Sequence, residues 1–224
     1  GEKIEKGKST KYLLSLIIPK VIKALQGSRF MKWSYGNFKF SRPIRWIISL
    51  YNEGILNFSL DNIEPQITFD NFSRGHRLIK NNIFIKHPDQ FFDSLKASGV
   101  IVNRANRKRI IYDLIINAAK KLNLYPDLSD QLLNEITDLV ESPDLIVGNF
   151  DCKYLSLPTE VLCTVMKNHQ RYIPLLISNN KFSKLDFDSK NILSTNFFLI
   201  SNGLHEANHF IKKGNENVLK ARFA

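Results

Sequence analysis

The spacing of the apolar residues changes from one stretch of this chain to the next, and this change constrains the fold more than any other feature. Residues 11–26 repeat apolar side chains every three or four positions, which predicts an amphipathic helix that Gly27 ends. Its apolar face consists of Leu14, Ile18, Val21, Ile22 and Leu25. Residues 36–60 then change to β-rich runs separated by Ser-Arg-Pro and Asn-Glu-Gly, which predicts a small meander or hairpin.

Strand and helix patterns continue along the rest of the chain. Further strands are predicted at 68–72, 83–85, 172–178 and 193–203, with turns at Gly75 and at Asn179-Asn180. Further helices are predicted at 87–95, at 103–122, from a cap at Asp127 or Ser129 to Pro143, at 159–168, at 205–213, and from a cap at Asn215 to the last residue. Two groups of strands with helices between and after them predict an α+β fold, with a mixed, largely antiparallel β-sheet and packed helices.

The helical patterns also predict which side chains are buried. The predicted core residues of three helices are Ile111, Ile115, Ala118 and Leu122, then Leu132, Ile136, Leu139 and Val140, then Val161, Leu162, Val165 and Met166. Glycine lowers helix stability, so Gly99 is expected to close one helix and Gly214 to interrupt the C-terminal helical pattern.

The chain is strongly basic. Its 32 Lys and Arg exceed its 21 Asp and Glu, which gives a formal net charge of +11. Such an excess attracts polyanions, and arginine in particular forms forked hydrogen bonds to phosphate. A lysine-rich composition that only favours solubility is the alternative explanation. We expect a nucleic acid to be the partner.

Several other classes of protein are disfavoured. No apolar run approaches the length of a membrane span, and the polar residues 1–10 are expected to be a linker or a cut edge. Cys152 and Cys163 form no CxxC pair, and so few cysteines fit a reducing compartment, so we expect a cytoplasmic protein. The chain contains neither a phosphate-binding glycine loop nor a nucleophile elbow.

The segment from His205 to His209 matches the zinc motif H-E-x-x-H. On a helix, the two imidazoles would share a face and Glu206 would serve as the base. A catalytic zinc needs a third protein ligand, and Lys212 stands where the extended motif has glycine. We therefore predict no metal site. The carboxylates of Glu135, Asp138 and Glu141 are expected to form the solvated face of their helix.

Three basic groups are the candidate nucleic-acid-binding residues. The first basic group is Arg29, Lys32, Arg42 and Arg45, interleaved with Trp33, Tyr35 and Trp46; the second is Arg74, His76 and Arg77; the third is Lys167, His169 and Arg171. Cations meet phosphates and aromatic rings stack on bases, which favours a nucleic-acid surface. The alternatives are that the rings form core, and that the third group complements the dipole of its helix.

Five segments in series carry a family resemblance. They are RFMKWSYGNFKFSRPIRWIISL, SRGHRL, LLNEITDLVESPDLIVGNF, LSLPTEVLCTVMKNHQRYIPL, and ISNG followed by GNENVLKARFA. In order and spacing, from about Leu13 to Phe223, they resemble the β subunit of bacterial glycyl-tRNA synthetase. The end of the chain stops inside a helical pattern, so we expect a fragment of that subunit.

The resemblance implies an α2β2 enzyme that attaches glycine to its tRNA. ATP and Mg²⁺ would be used at the class II active site of the α subunit, while the β subunit grips tRNA(Gly), so no cofactor and no catalytic residue is expected in this chain. Residues 11–203 would form the tRNA-handling domain, similar in shape to the editing module of phenylalanyl-tRNA synthetase. Residues 204–224 would begin an HD-like helical domain.

Two other functions remain open at this point. The chain could be a structural module that contacts the α subunit without touching RNA. It could also be a hydrolase, either zinc-dependent through His205 and His209 or of the editing-esterase type.

Overall fold

The structure, a computed structural model, describes residues 6–25, 27–32, 38–60, 67–79, 82–178 and 192–224. Trp33, Tyr35 and the turn predicted at Asn179-Asn180 lie outside these residues. The chain forms two compact units, Gly1–Ser98 and Gly99–Ala224. The functional boundary predicted near residue 203 stays a prediction.

The first unit has short strands and two helices. Its helices are α1, Thr10–Ala24, and α2, Phe91–Ala97, which follows a 3-10 turn at Pro88–Gln90. Its strands are β1, Met31–Lys32; β2, Lys39–Phe40; β3, Trp46–Ile48; β4, Leu50–Tyr51; β5, Gly54–Ile55; β6, Thr68–Asp70; β7, Phe72–Arg74; and β8, Asn82–Phe84. Ser9 caps α1 by accepting the backbone N–H of Tyr12.

The strand pairs of the first unit are mostly antiparallel. β1 pairs with β2, β4 with β5, and β7 with β8. The β4–β5 hairpin turns through two residues, and Asn52 has the positive φ of 53° that such turns require. β3 instead pairs in parallel with β6, because the chain crosses over between them rather than turning back. The predicted hairpin is therefore confirmed, but residues 36–60 do not form a simple meander.

Aromatic rings hold the core of the first unit together. Phe38, Leu60 and Ile67 are buried, and half-buried rings pack around them. The rings of Phe58 and Phe69 lie 4.2 Å apart between centroids. Such pairs add about 1 kcal/mol to the burial of their surface.

The second unit alternates longer helices with a four-stranded sheet. Its helices are α3, Arg104–Leu122; α4, Asp130–Leu139; α5, Thr159–Thr164, which continues as a π-helix at Val165–Gln170; and α6, Asn208–Phe223. Its strands are β9, Tyr125–Pro126; β10, Asp144–Asn149; β11, Ile173–Leu176; and β12, Leu193–Ser201. Two 3-10 turns lie at Cys152–Ser156 and His205–Ala207. The sequence patterns missed β9 and β10.

The four strands form an antiparallel sheet in the order β10-β12-β11-β9, which places β12 in the middle. Successive residues of a strand point to opposite faces. Phe197 accordingly packs with α5 and α6, while Phe198 packs with α3 and α4. Both rings are fully buried, so helices cover both faces of the sheet around them. The predicted α+β class, largely antiparallel with packed helices, is confirmed.

Most of the predicted buried residues of α3, α4 and α5 are in the core, but three are not. Leu122, Leu139 and Val161 are 40%, 65% and 52% exposed. Leu122 and Leu139 lie in the last turn of their helices, where the chain is already leaving the sheet. The buried stripe is instead completed by Ala119, Leu133 and Thr137.

The predicted break at Gly214 is wrong. α6 runs without interruption from Asn208 to Phe223, and Asn215 does not cap a new helix. The Asn215 amide instead donates to the carbonyl of Ile211 at 2.6 Å. Burial of Leu219 and Phe223 against the sheet outweighs the cost of one glycine, about 1 kcal/mol relative to alanine.

Gly214→Ala should therefore raise the free energy of unfolding by about 0.5–1 kcal/mol, because a Cβ there would meet no atom within 4 Å. Gly148→Ala is the matched control. Its Cβ would lie 2.3 Å from Cζ of Phe197, so it should destabilise by about 1–3 kcal/mol. Urea denaturation of both variants measures this. A destabilised Gly214→Ala would contradict a continuous α6.

Candidate nucleic-acid interface

The first basic group lies on exposed turns and strand ends of the first unit. Arg29 precedes β1, Lys32 ends it, and Arg42 and Arg45 lie on the segment between β2 and β3. The chain bends at residues 41–42, immediately before Pro43. All four side chains are exposed to solvent.

Arg74, in the second basic group, is held by an aromatic ring. Its guanidinium lies over the ring of Trp46, with Cζ 5.0 Å from the ring centroid. Trp46 is half-buried and stacks in turn on Phe72, at 6.2 Å between centroids. A guanidinium on an indole is attracted to the negative face of the ring and keeps its N–H groups at the edge. Trp46 therefore supports the exposed Arg74 as a preorganised donor.

His76 occupies the interior beside two exposed arginines. Arg74 and Arg77 are exposed, whereas His76 is only 1% exposed, so its ring does not reach the surface. Neither ring nitrogen has a hydrogen-bond partner among the described residues. Its backbone N–H donates to the carbonyl of Ser98 at 2.9 Å.

Gly75 allows this close approach. A Cβ at Gly75 would lie 2.7 Å from the carbonyl oxygen of Ser98. Its φ is not in the left-handed region, which among glycines of the described chain only Gly99 adopts. The sequence explained Gly75 by a tight turn, but the structure requires it for lack of space. Arg74 and Arg77 are both exposed, on either side of the buried His76.

The third basic group is paired with acids. Nζ of Lys167 lies 2.6 Å from Asp127 Oδ2, and Nε of Arg171 lies 2.7 Å from Glu135 Oε2. Arg171 also donates to the carbonyl of Asn168. His169 is exposed. Two of the three cations are therefore largely neutralised, because each carboxylate cancels the charge that a phosphate would meet.

The backbone around Arg171 is unusual. The π-helix Val165–Gln170 ends there, and Arg171 adopts a left-handed φ of 59°. Both features cost free energy and are more common at functional sites than elsewhere. Arg171 lies beside a groove of about 460 Å³, which Leu139 and Asn215 also line. Leu139, which is exposed at the end of α4, forms part of this groove.

No acid lies within ion-pair distance of Arg29, Lys32, Arg42, Arg45, Arg74 or Arg77 in the described part of the chain. The two units thus differ in how their candidate cations are used. The first unit displays unpaired positive charge, which can bind phosphate, whereas the second unit pairs most of its candidates internally.

Two carboxylates of α4, those of Glu135 and Asp138, form ion pairs in addition to facing solvent. Asp138 receives two hydrogen bonds from Arg104, at 2.7 and 2.9 Å, and these hold the pKa of its carboxyl below the usual range. Glu135 pairs with Arg171. The partners lie over thirty residues away along the chain, so no local pattern indicated them. These pairs join α4 to its neighbours.

The H-E-x-x-H residues make polar contacts instead of a metal-ligand cluster. Nδ1 of His205 lies 2.9 Å from Asp144 Oδ2, and the amide of Asn208 donates to the same oxygen at 2.7 Å. The hydrogen bond to Asp144 raises the pKa of His205 above its ordinary value. Among the described residues, no three His, Cys, Asp or Glu side chains are arranged to hold a metal ion.

The cysteines are both free. Burial raises the pKa of the Cys163 thiol to about 11, so it is protonated at neutral pH and unsuited to act as a nucleophile. None of the described helices combines the length and the apolar character needed to cross a bilayer.

The fold and the basic surface define an α+β protein with a candidate polyanion-binding face. The family model for the glycyl-tRNA synthetase beta subunit matches residues 1–224. A glycine–tRNA ligase beta subunit of Trichodesmium erythraeum is 41% identical over 219 residues, 97% of this chain and 30% of the relative. The corresponding subunit of Halothermothrix orenii is 38% identical over 224 residues, covering 100% of this chain and 30% of the relative.

The chain therefore belongs to the glycyl-tRNA synthetase beta subunit family, as its sequence resemblance indicated. The subunit of Clostridioides difficile is also similar, with 35% identity over 219 residues. The chain spans about 30% of the length of these curated relatives.

Lys167→Ala should lower the free energy of unfolding by about 1 kcal/mol, because it leaves Asp127 part-buried without its cation. Lys213→Ala, which removes an exposed lysine from α6, is the control and should change stability by less than about 0.5 kcal/mol. Chemical denaturation measures both. Equal effects would contradict a structural role for the third basic group.

Asp144→Asn should lower the pKa of His205 towards its ordinary value of 6.5, as followed by NMR titration of the ring protons. A raised folded-state pKa stabilises the fold below pH 6.5, and this contribution is lost as pH rises through the folded-state pKa. The pH-dependent part of the stability difference should therefore disappear in alkaline solution. Glu206→Gln should lower the pKa less, because Asp144 is the larger cause.

Proposed function

We propose that this chain is a tRNA-binding part of a glycine–tRNA ligase, acting through the exposed cations of its first unit. In this proposal the ligase joins glycine to tRNA(Gly), with ATP and Mg²⁺ used at an active site in the α subunit. This chain contributes no group to bond formation. Its role is to bind the RNA backbone and so hold the acceptor in register for the reaction.

One observation carries this proposal. The six exposed cations Arg29, Lys32, Arg42, Arg45, Arg74 and Arg77 have no acidic partner among the described residues. Within the described residues, no carboxylate neutralises their charge. Membership of a family whose members are named glycine–tRNA ligase beta subunits supports tRNA as the polyanion.

Arg74 is the residue on which the proposal depends most. Its guanidinium is fixed on Trp46, so less side-chain entropy is lost when its N–H groups meet a phosphate. A flexible lysine at the same place would supply charge without the forked geometry. Arg77 follows after buried His76 and adds a second donor nearby in the chain. His76 itself positions this segment and is not proposed to contact RNA.

The double variant Arg74→Glu/Arg77→Glu should weaken binding of tRNA(Gly) by at least roughly tenfold at low salt, because it replaces two phosphate contacts with repulsion. The slope of log affinity against log salt should become shallower by about two contacts. Filter binding or fluorescence anisotropy over a salt series measures both quantities.

The matched control is Lys120→Glu/Lys121→Glu, which changes the net charge equally at two exposed lysines of α3. It should weaken binding much less, because only long-range attraction is lost. If both double variants weaken binding equally, net charge alone attracts the tRNA and the proposed surface is wrong. Retention of full affinity by the arginine variant would also overturn it.

A second candidate function is contact with another subunit. The exposed apolar residues of α1 favour it, since they resemble a surface that another chain covers. The two functions are compatible, because α1 and the exposed cations of the second basic group are different parts of the first unit.

A further inference from the structure

The outer face of the β7–β8 pair carries an aromatic ring between a polar and a cationic side chain. Successive side chains of an extended chain alternate between faces, so Phe84 shares its face with Asn82 and Lys86. These three side chains are exposed, whereas Ile83 and Ile85, which lie between them, are buried. The inner face thus anchors the segment, and the three outer side chains are held towards solvent on a fixed backbone.

Three rings form a row that ends on this face. The register of the pair places Phe72 opposite Phe84. The ring centroids of Phe84 and Phe72 lie 6.4 Å apart, and those of Phe72 and Trp46 lie 6.2 Å apart. Trp46 and Phe72 are half-buried, but Phe84 is 66% exposed. The row, which we name the aromatic row, therefore ends in a ring that the described chain leaves mostly uncovered.

Positive charge lies at both ends of the aromatic row. Arg74 covers the Trp46 ring at one end, and Lys86 follows Phe84 by two residues at the other. Neither cation has an acid within ion-pair distance in the part of the chain that the structure describes. Residues 72–74 and 82–86 also include no acidic residue. A ligand of this face must therefore combine a flat apolar surface with negative charge.

An unpaired nucleotide combines these two properties. Its base has a free π-face that can stack on an aromatic side chain, and a phosphate adjoins it on each side. An RNA duplex supplies the phosphates, but neighbouring base pairs already cover the faces of its bases. An apolar protein surface would cover Phe84 and leave the cations beside it without a counter-charge. The charge of this face and its exposed ring together favour a single-stranded segment of RNA.

We infer that the outer face of the β7–β8 pair binds an unpaired nucleotide of RNA by stacking its base on the ring of Phe84. The amide of Asn82 offers a donor and an acceptor to the edge of that base, and Lys86 binds an adjoining phosphate. This inference rests on the proposed function in taking RNA as the partner. It adds contact with a base, which backbone-binding cations do not supply.

The test measures binding of the chain to a labelled single-stranded RNA oligonucleotide and to an RNA duplex of the same length, by fluorescence anisotropy. Phe84→Leu should weaken binding of the single strand by at least roughly fivefold, because it removes the ring on which a base stacks. Phe84→Trp should retain the affinity, because an indole also stacks. Affinity for the duplex should stay within about twofold in both variants.

The salt dependence separates stacking from charge. Phe84→Leu removes no charge, so the slope of log affinity against log salt should not change. Lys86→Ala should make that slope shallower by about one phosphate contact. Lys96→Ala, which removes an exposed lysine from α2 of the same unit, is its control and should leave the slope unchanged.

Phe92→Leu is the matched control for the ring. Phe92 is 57% exposed, and its ring contacts that of Phe91, with the centroids 5.2 Å apart, as Phe84 contacts Phe72. This control should leave affinity for the single strand within about twofold of the original chain. Leucine keeps an apolar side chain at both positions, and circular dichroism establishes that each variant is folded.

Unchanged affinity for the single strand in Phe84→Leu, or an equal loss in Phe92→Leu, would overturn the inference. Equal losses for the single strand and the duplex would show that the ring does not stack on an unpaired base. Unchanged RNA binding in Phe84→Leu, together with loss of binding to a purified α subunit of the ligase, would assign the face to a protein contact instead. Ultraviolet cross-linking of the bound oligonucleotide should join it to the peptide that contains Phe84, and cross-links elsewhere alone would contradict the assignment.

The same measurements separate this inference from the proposed function. If Arg74→Glu/Arg77→Glu leaves tRNA(Gly) binding unchanged, the proposed backbone-binding surface is wrong, while a loss of single-strand binding in Phe84→Leu still supports the base-stacking site. If the arginine variant weakens tRNA(Gly) binding and Phe84→Leu changes no RNA affinity, the proposed function stands and only the base-stacking site is wrong.

Discussion

The pleat of the central strand β12 governs the second unit. Phe197 and Phe198 are adjacent in the chain, fully buried, and directed to opposite faces of the sheet. Each ring needs its own layer of helices, so α5 and α6 cover one face while α3 and α4 cover the other. The ion pairs Lys167–Asp127 and Arg171–Glu135 form between elements that these layers bring together. The packing around these two rings thus accompanies the pairing of two candidate cations of the second unit with acids.

The first unit has no comparable central strand, and its exposed groups reflect this. Its strands are two or three residues long, and its core is a cluster of phenylalanine, leucine and isoleucine side chains. Short strands bury few charged neighbours, so the arginines on their ends stay exposed and unpaired in the described part. Trp46 contributes both to the packing of the first unit and to the display of charge. Its ring stacks on Phe72 and also supports the guanidinium of Arg74. The side chain of Trp46 therefore both packs in the first unit and positions an exposed cation.

Patterns with many consistent positions were predicted well. α3 has nineteen residues, an Asn103 cap and a regular apolar face, and it forms nearly as predicted because each turn repeats the same preference. β10 was missed because its apolar run, from Leu145 to Val147, is only three residues long and is followed by Gly148. Gly214 was misjudged because a local propensity near 1 kcal/mol is smaller than the burial of Leu219 and Phe223.

The sequence by itself determined the α+β class, the excess of positive charge, and the family, because these depend on composition, periodicity and the order of motifs. Only the tertiary structure decided which cations are free. Lys167 and Arg171 form ion pairs with acids that lie forty and thirty-six residues away in the sequence. The guanidinium of Arg74 lies over the ring of Trp46, and the side chain of His76 is buried. The physical reason is that charge pairing and burial depend on distances in space, which neighbouring residues in a chain do not specify.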